Sequence, residues 1–195
     1  MGEMLSYMSM PGIYIRNGTE VSDGDVFYDI TDWGGSFIEK ARAALLALRE
    51  RPNGRAIVEA VSAATDMSGR MITIEPAQAF DGQDGPGWSA ADLLIRWTPL
   101  NHPGTSDDFD QLNGIPPFII LGHELVHALN SLTGKTPVTN NPGNDKAIDE
   151  AMTIGLGPWT GRPLSENGLR KEWGLPARTT FCGAPAARLL IGTGY

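Results

Sequence analysis

Between Pro116 and Gly134, apolar side chains fall on nearly every side of a helix drawn at about 100° per residue. One polar stripe of His123, Glu124, His127 and Asn130 interrupts them. A helix that is apolar almost all round is buried, so the stripe must face a cavity, a metal or other polar groups. Pro116 and Pro117 open this helix where missing amide hydrogens cost nothing, and the pattern predicts that it runs from Phe118 to about Leu132 and stops at Gly134.

The rest of the chain alternates between helical and strand periods. Ser36 caps a helix through Phe37, Ile38, Ala41, Leu45 and Leu48, which stops at Arg51-Pro52-Asn53-Gly54; a second helical stretch follows from Arg55 to Ala64. Ile13-Tyr14-Ile15 and Val26 to Ile30, joined through the turn pair Asn17-Gly18, predict a small hairpin. Met71 to Glu75 alternates as a strand ended by Pro76, and Asp92 to Thr98 reads as a strand ended by Pro99. This last strand is the expected edge beside the central helix, where an extended peptide would add by backbone pairing. Between them, Asp81 to Gly87 reads as a solvated acidic turn, and residues 100–115 as an irregular loop carrying His102. Downstream, a short helix from Lys146 to Ile154 stops at Gly155-Leu156-Gly157-Pro158. A final helix from Glu166 to Trp173 is capped by Ser165.

Composition narrows the class. The 195 residues are 41% hydrophobic and 19% charged, as expected of a folded globular chain. A formal net charge of -8 argues against a nucleic-acid-binding surface. The single cysteine, Cys182, excludes an intrachain disulfide framework. No apolar run is long enough to span a bilayer, and no charged-then-apolar secretory pattern opens the chain. Residues 1–11 read as a loose leader and 12–195 as a single domain, expected to act as a monomer.

The polar stripe carries the chemistry. His123 and His127 are four residues apart, so both imidazoles lie on one helix face and can reach one metal ion. Glu124 projects about 100° away, suited to holding a water rather than the metal. This is the HExxH pattern, and catalytic zinc completes it with a third protein ligand and an open position for water. His102, an acid or another residue supplies that third ligand. The main candidates, Asp149 and Glu150, are adjacent and point about 100° apart on their helix. Ala147, Ile148, Ala151, Met152 and Ile154 define its buried face; Glu150 borders that face and Asp149 points nearly opposite. Glu150 is therefore the expected ligand, and Asp149 the group that would orient a histidine from behind. Zn²⁺ lowers the pKa of its water from about 15.7 to about 7, and Glu124 then serves as acid and base. His102, Arg170 and Arg178 are the candidate oxyanion donors, among which the sequence does not choose. The implied fold class is α+β, a compact zincin-like metalloprotease domain with a small antiparallel or mixed sheet beside the HExxH helix. Two other readings share these residues: a partner-binding domain retaining its metal, and a zinc amidase acting on a non-protein substrate. One cysteine and three histidines supply poorly the four ligands of a closed structural site.

Beyond HExxH, the run Asp149-Glu150-Ala151-Met152-Thr153-Ile154-Gly155-Leu156-Gly157 and the segment Ser165 to Arg178 resemble the NleD-like family of bacterial effector zinc metallopeptidases. The resemblance covers about residues 115–181. It implies His123 and His127 as ligands, Glu124 as catalytic acid and base, and Glu150 as the downstream acid. It marks Asn167, Arg170 and Arg178 as members of a family-typical segment without assigning their roles. The chain departs from the family pattern at Met152, where an arginine is expected, and at Phe181, where a tyrosine is expected. The resemblance further implies a secreted effector or toxin acting inside a target cell on a protein substrate. Host signalling kinases of the mitogen-activated class are the substrates of its best-known members.

Overall fold

The structure, a computed structural model, describes residues 5–6, 10–16, 37–77, 87–99, 114–138, 142–181 and 184–185. Among them are five α-helices and a five-stranded mixed sheet, so the fold is α+β. The helices are α1 (Phe37–Arg49), α2 (Pro52–Ser68), α3 (Pro117–Leu132), α4 (Pro142–Ile154) and α5 (Glu166–Glu172). The sheet strands are β1 (Leu5–Ser6), β2 (Ile13–Ile15), β3 (Ile72–Pro76), β4 (Gly87–Ser89) and β5 (Leu94–Trp97). A separate antiparallel pair joins β6 (Thr180–Phe181) to β7 (Ala184–Pro185).

The sheet order is β1-β2-β3-β5-β4, with β2, β3 and β5 parallel and the two outer strands antiparallel to their neighbours. Two expectations change here. The leader read as loose supplies β1, which pairs with β2, and the buried core residue Met10. β5, expected at the edge, lies between β3 and β4, so the outer position belongs to the short β4. Its Trp88 and the turn after it carry too little periodicity to read as a strand. The second strand of the expected N-terminal hairpin, Val26 to Ile30, falls outside the described residues, as do its turn and His102.

Burial follows the periods read from the chain. α1 buries Phe37, Ala41, Ala44, Leu45 and Leu48; α2 buries Ile57, Val58, Val61, Ala64 and Thr65. These faces meet Ile13, Ile15, Ile72, Ile74 and Ile95 of the sheet, in one core cluster that includes α3. Two proline-opened helices start earlier than expected: Pro52 belongs to α2 and Pro142 to α4. A proline that looks like a breaker is equally a first-turn residue, because its missing amide is unneeded there.

Three contacts fix the position of α3. Trp97 at the end of β5 donates its indole N–H to the Pro117 carbonyl, 2.9 Å away, and packs on Phe37 at 5.9 Å between ring centres. At Gly122, a side chain would meet Leu169 of α5 and Leu48 of α1, so the missing Cβ lets three helices close together. The Phe118 and Trp173 rings lie 4.7 Å apart and join the start of α3 to the end of α5.

Gly54 provides a test of this packing, because a Cβ there would run into the Leu48 carbonyl across the α1–α2 turn. Alanine gains about 1 kcal/mol of helix preference over glycine, whereas forcing an atom into a filled site costs about 1–3 kcal/mol. The backbone obstacle should win. Gly54→Ala is expected to lower the denaturant midpoint; a raised midpoint would mean that the turn opens freely.

Candidate metal centre

The stripe on α3 is buried as a unit: His123, Glu124 and His127 are each 7% exposed and Asn130 is fully enclosed. The two imidazoles meet edge to face, with ring centres 4.7 Å apart and Nε2 atoms 3.0 Å apart. α4 brings Glu150 against both of these nitrogens, with its carboxylate oxygens 3.4 Å from His123 Nε2 and 3.6 Å from His127 Nε2. One ligand atom from each of His123, His127 and Glu150 lies within 4.8 Å of the others, the spacing of donors that converge on one ion.

The far edges of both rings are held by carboxylates. His127 Nδ1 is 2.7 Å from Asp149 Oδ2, and Thr153 Oγ1 lies 3.2 Å from the same nitrogen. Asn130 donates to Thr153 at 3.4 Å, and Arg162 donates to Asn130 at 3.4 Å. His123 Nδ1 is 2.8 Å from Glu166 Oε2. A carboxylate accepting at Nδ1 leaves Nε2 as the free donor atom of a neutral ring, which is how histidine is presented to metals.

Helical phase anticipates that only one of Asp149 and Glu150 faces the metal, with Asp149 orienting a histidine from behind. The structure places the two acids on different edges of the imidazoles. Glu150 meets the Nε2 edges, while Asp149, about 100° round the helix, reaches the Nδ1 edge of His127.

Arg170 and Arg178, considered above as oxyanion donors, turn elsewhere. Arg170 Nε donates to Glu166 Oε1 at 2.7 Å and its Nη1 to the Pro176 carbonyl at 3.1 Å. Arg178 Nη1 donates to Glu166 Oε2 at 3.2 Å and its Nε to the Thr180 carbonyl at 3.1 Å. Both arginines are buried, so holding Glu166 replaces the role considered for them. Glu166 itself escaped the sequence reading. At the start of a capped helix an acid is ordinarily explained by the helix dipole. The signal that was available is the Glu166–Arg170 pair at i, i+4 on a helix with a buried face.

The electrostatics follow from this crowding. Burial disfavours a charged His123, yet hydrogen bonds with Glu150 and Glu166 outweigh it and push the ring up to about 9. His127 rises well above its ordinary value in the same way, against burial, through Asp149 and Glu150. Burial works against ionised Glu150 and Glu166, but the histidines hold Glu150 below the usual carboxylate range. His123 and the two arginines do the same for Glu166. Glu124 goes the other way: burial raises it, with the two histidines opposing.

Two buried imidazoles and one carboxylate converging from two helices suit a borderline divalent ion and leave coordination positions for small ligands. The donor set therefore fits a divalent metal ion. The chain matches the peptidase M91 family, described as "Effector protein", over residues 27–181. No curated protein and no solved structure matches it.

Metal binding should be linked to protons. Because the neighbouring carboxylates favour protonated imidazoles in the metal-free pair, an incoming cation must displace protons from it. Affinity should then climb by about tenfold per pH unit for each proton displaced, up to about pH 9 for His123. Titration calorimetry in buffers of different ionisation enthalpy should read proton release at pH 7; affinity independent of pH between 6 and 8 would contradict it.

Proposed function

Because the chain belongs to the peptidase M91 family of effector proteins, we propose that it is a zinc-dependent endopeptidase that cleaves a protein of a target cell. The observation that carries this reading is the convergence of His123, His127 and Glu150 on α3 and α4, with Glu124 buried beside them. Zinc is the ion this set suits, with two nitrogens and one oxygen from the protein. When bound, it supplies Lewis acidity, polarising a carbonyl and acidifying water.

The chain's own residues supply the rest. Asp149 orients His127 through Nδ1. Glu124 takes the proton from the attacking water on its carboxylate and delivers one to the leaving amine. Burial raises its affinity for that proton, which suits a group that must both accept and donate. The extended substrate would pair with β4, the outer strand, which packs against α3 together with β5. Secretion followed by action inside a host cell is the setting the family suggests. Signalling kinases of the mitogen-activated class are the first substrates to test. No helix among the described residues is long and apolar enough to cross a membrane.

The decisive comparison is between the native chain and Glu124→Gln, each added to target-cell lysate with mapping of new protein N-termini. Native protein should contain about one zinc per chain and generate specific new termini. Glu124→Gln should keep the zinc and lose cleavage by about 10²–10⁴-fold. Equal cleavage by both proteins would refute Glu124 as the proton carrier. Zinc-loaded native protein that produces no new termini would point away from a proteinase.

A further inference from the structure

Glu166 is wholly buried, yet it is neither in the HExxH pattern nor among the three converging donors. Its surroundings are organised in one direction. Asn167 grips the backbone of Arg178 twice, accepting from its amide at 2.7 Å and donating to its carbonyl at 2.9 Å. That grip brings the Arg178 guanidinium to Glu166 Oε2, while Arg170, one turn along α5, takes Oε1. The oxygen shared with Arg178 is also the one on His123 Nδ1.

A buried ion cluster could serve folding alone, but that role would not require its carboxylate to face an imidazole. Here both oxygens are held by cations, and the carboxylate is aimed at the rear of an imidazole whose front faces Glu150. The support of His127 is built differently: Asp149 is partly exposed, and its second oxygen is buried with no hydrogen-bond partner among the described residues. The two histidines are thus held unequally, His123 by a charge-locked carboxylate and His127 by a looser one.

We infer that Glu166, locked by Arg170 and Arg178, is a positioning residue that fixes the ring orientation and tautomer of His123 for metal binding. This rests on the metal-site reading above and extends it to the Ser165–Arg178 segment. The segment becomes a rear support for one ligand, reaching the metal only through an imidazole. Removing such supports typically weakens metal binding by about 10–100-fold.

Two substitutions separate charge from reach. Glu166→Gln keeps the length and removes the charge; Glu166→Asp keeps a charge for the arginines and shortens the reach to His123. Cobalt and zinc affinities are measured by chelator competition, with the visible spectrum of the cobalt-loaded protein and the unfolding midpoint of the metal-free protein recorded alongside. Each folded variant should lose about 10–100-fold in affinity, with a changed cobalt band. If the variants lower only the unfolding midpoint and keep native affinity and spectrum, Glu166 is structural and the inference fails. Should Glu166→Gln not fold, Glu166→Asp decides alone by the same readings. Native protein that binds neither metal would overturn the metal-site reading itself, an outcome distinct from variants that bind as well as native.

Discussion

Everything in this molecule depends on gathering six acids and histidines of α3, α4 and α5 in one largely buried region. His123, Glu124, His127, Asp149, Glu150 and Glu166 crowd one region, most of them less than a tenth exposed. An isolated buried charge is too costly to persist, so each must find a partner of opposite sign or change its protonation. In the metal-free protein the histidines pair with the acids around them, which favour the protonated imidazole against burial. A divalent cation would replace those protons with charge of the same sign, so the electrostatic design needs little rearrangement to accept one. The raised Glu124 is the exception, and it is the group proposed above as the proton carrier.

The scaffold exists to hold α3 still while this happens. Apolar faces of α1 and α2 and the sheet close round it, and the missing side chain at Gly122 lets Leu48 and Leu169 approach. The Trp97 hydrogen bond to Pro117 ties the first turn of α3 to the end of β5. Rigid placement matters because a binding constellation must be held within about 0.5 Å of its working geometry. The second helix of the site, α4, is anchored through Ala151, Ile154 and Leu156, which pack in a small cluster of their own. The site therefore lies where two apolar units meet.

Much of this was legible in the residues. The five helices follow their hydrophobic periods, and the proline-opened starts at Pro52 and Pro142 were misplaced only because proline marks helix beginnings and ends alike. Strand order was not legible. β5 looks like an edge strand, yet β4 covers it, and three residues containing one tryptophan carry no readable period. The parallel pairing of β2 with β3 was equally hidden, because alternation says which face is buried and nothing about the neighbour. At the site, helical phase put Glu150 on the metal side and Asp149 behind a ring; in the structure Glu150 lies at the Nε2 atoms and Asp149 at Nδ1 of His127.

The amino-acid sequence by itself determined the local chemistry: two histidines and a glutamate on one buried helix face, with an acid pair downstream. These follow from a repeat of 3.6 residues, which acts within a few turns and needs no knowledge of the fold. Only the tertiary structure decided how Arg170 and Arg178 are used. They are separated from His123 by more than forty positions, and both turn inward on Glu166 instead of toward a substrate. Which cation meets a buried carboxylate is set by how helices pack and where a loop returns. Those are long-range consequences of core formation, and local spacing carries no record of them.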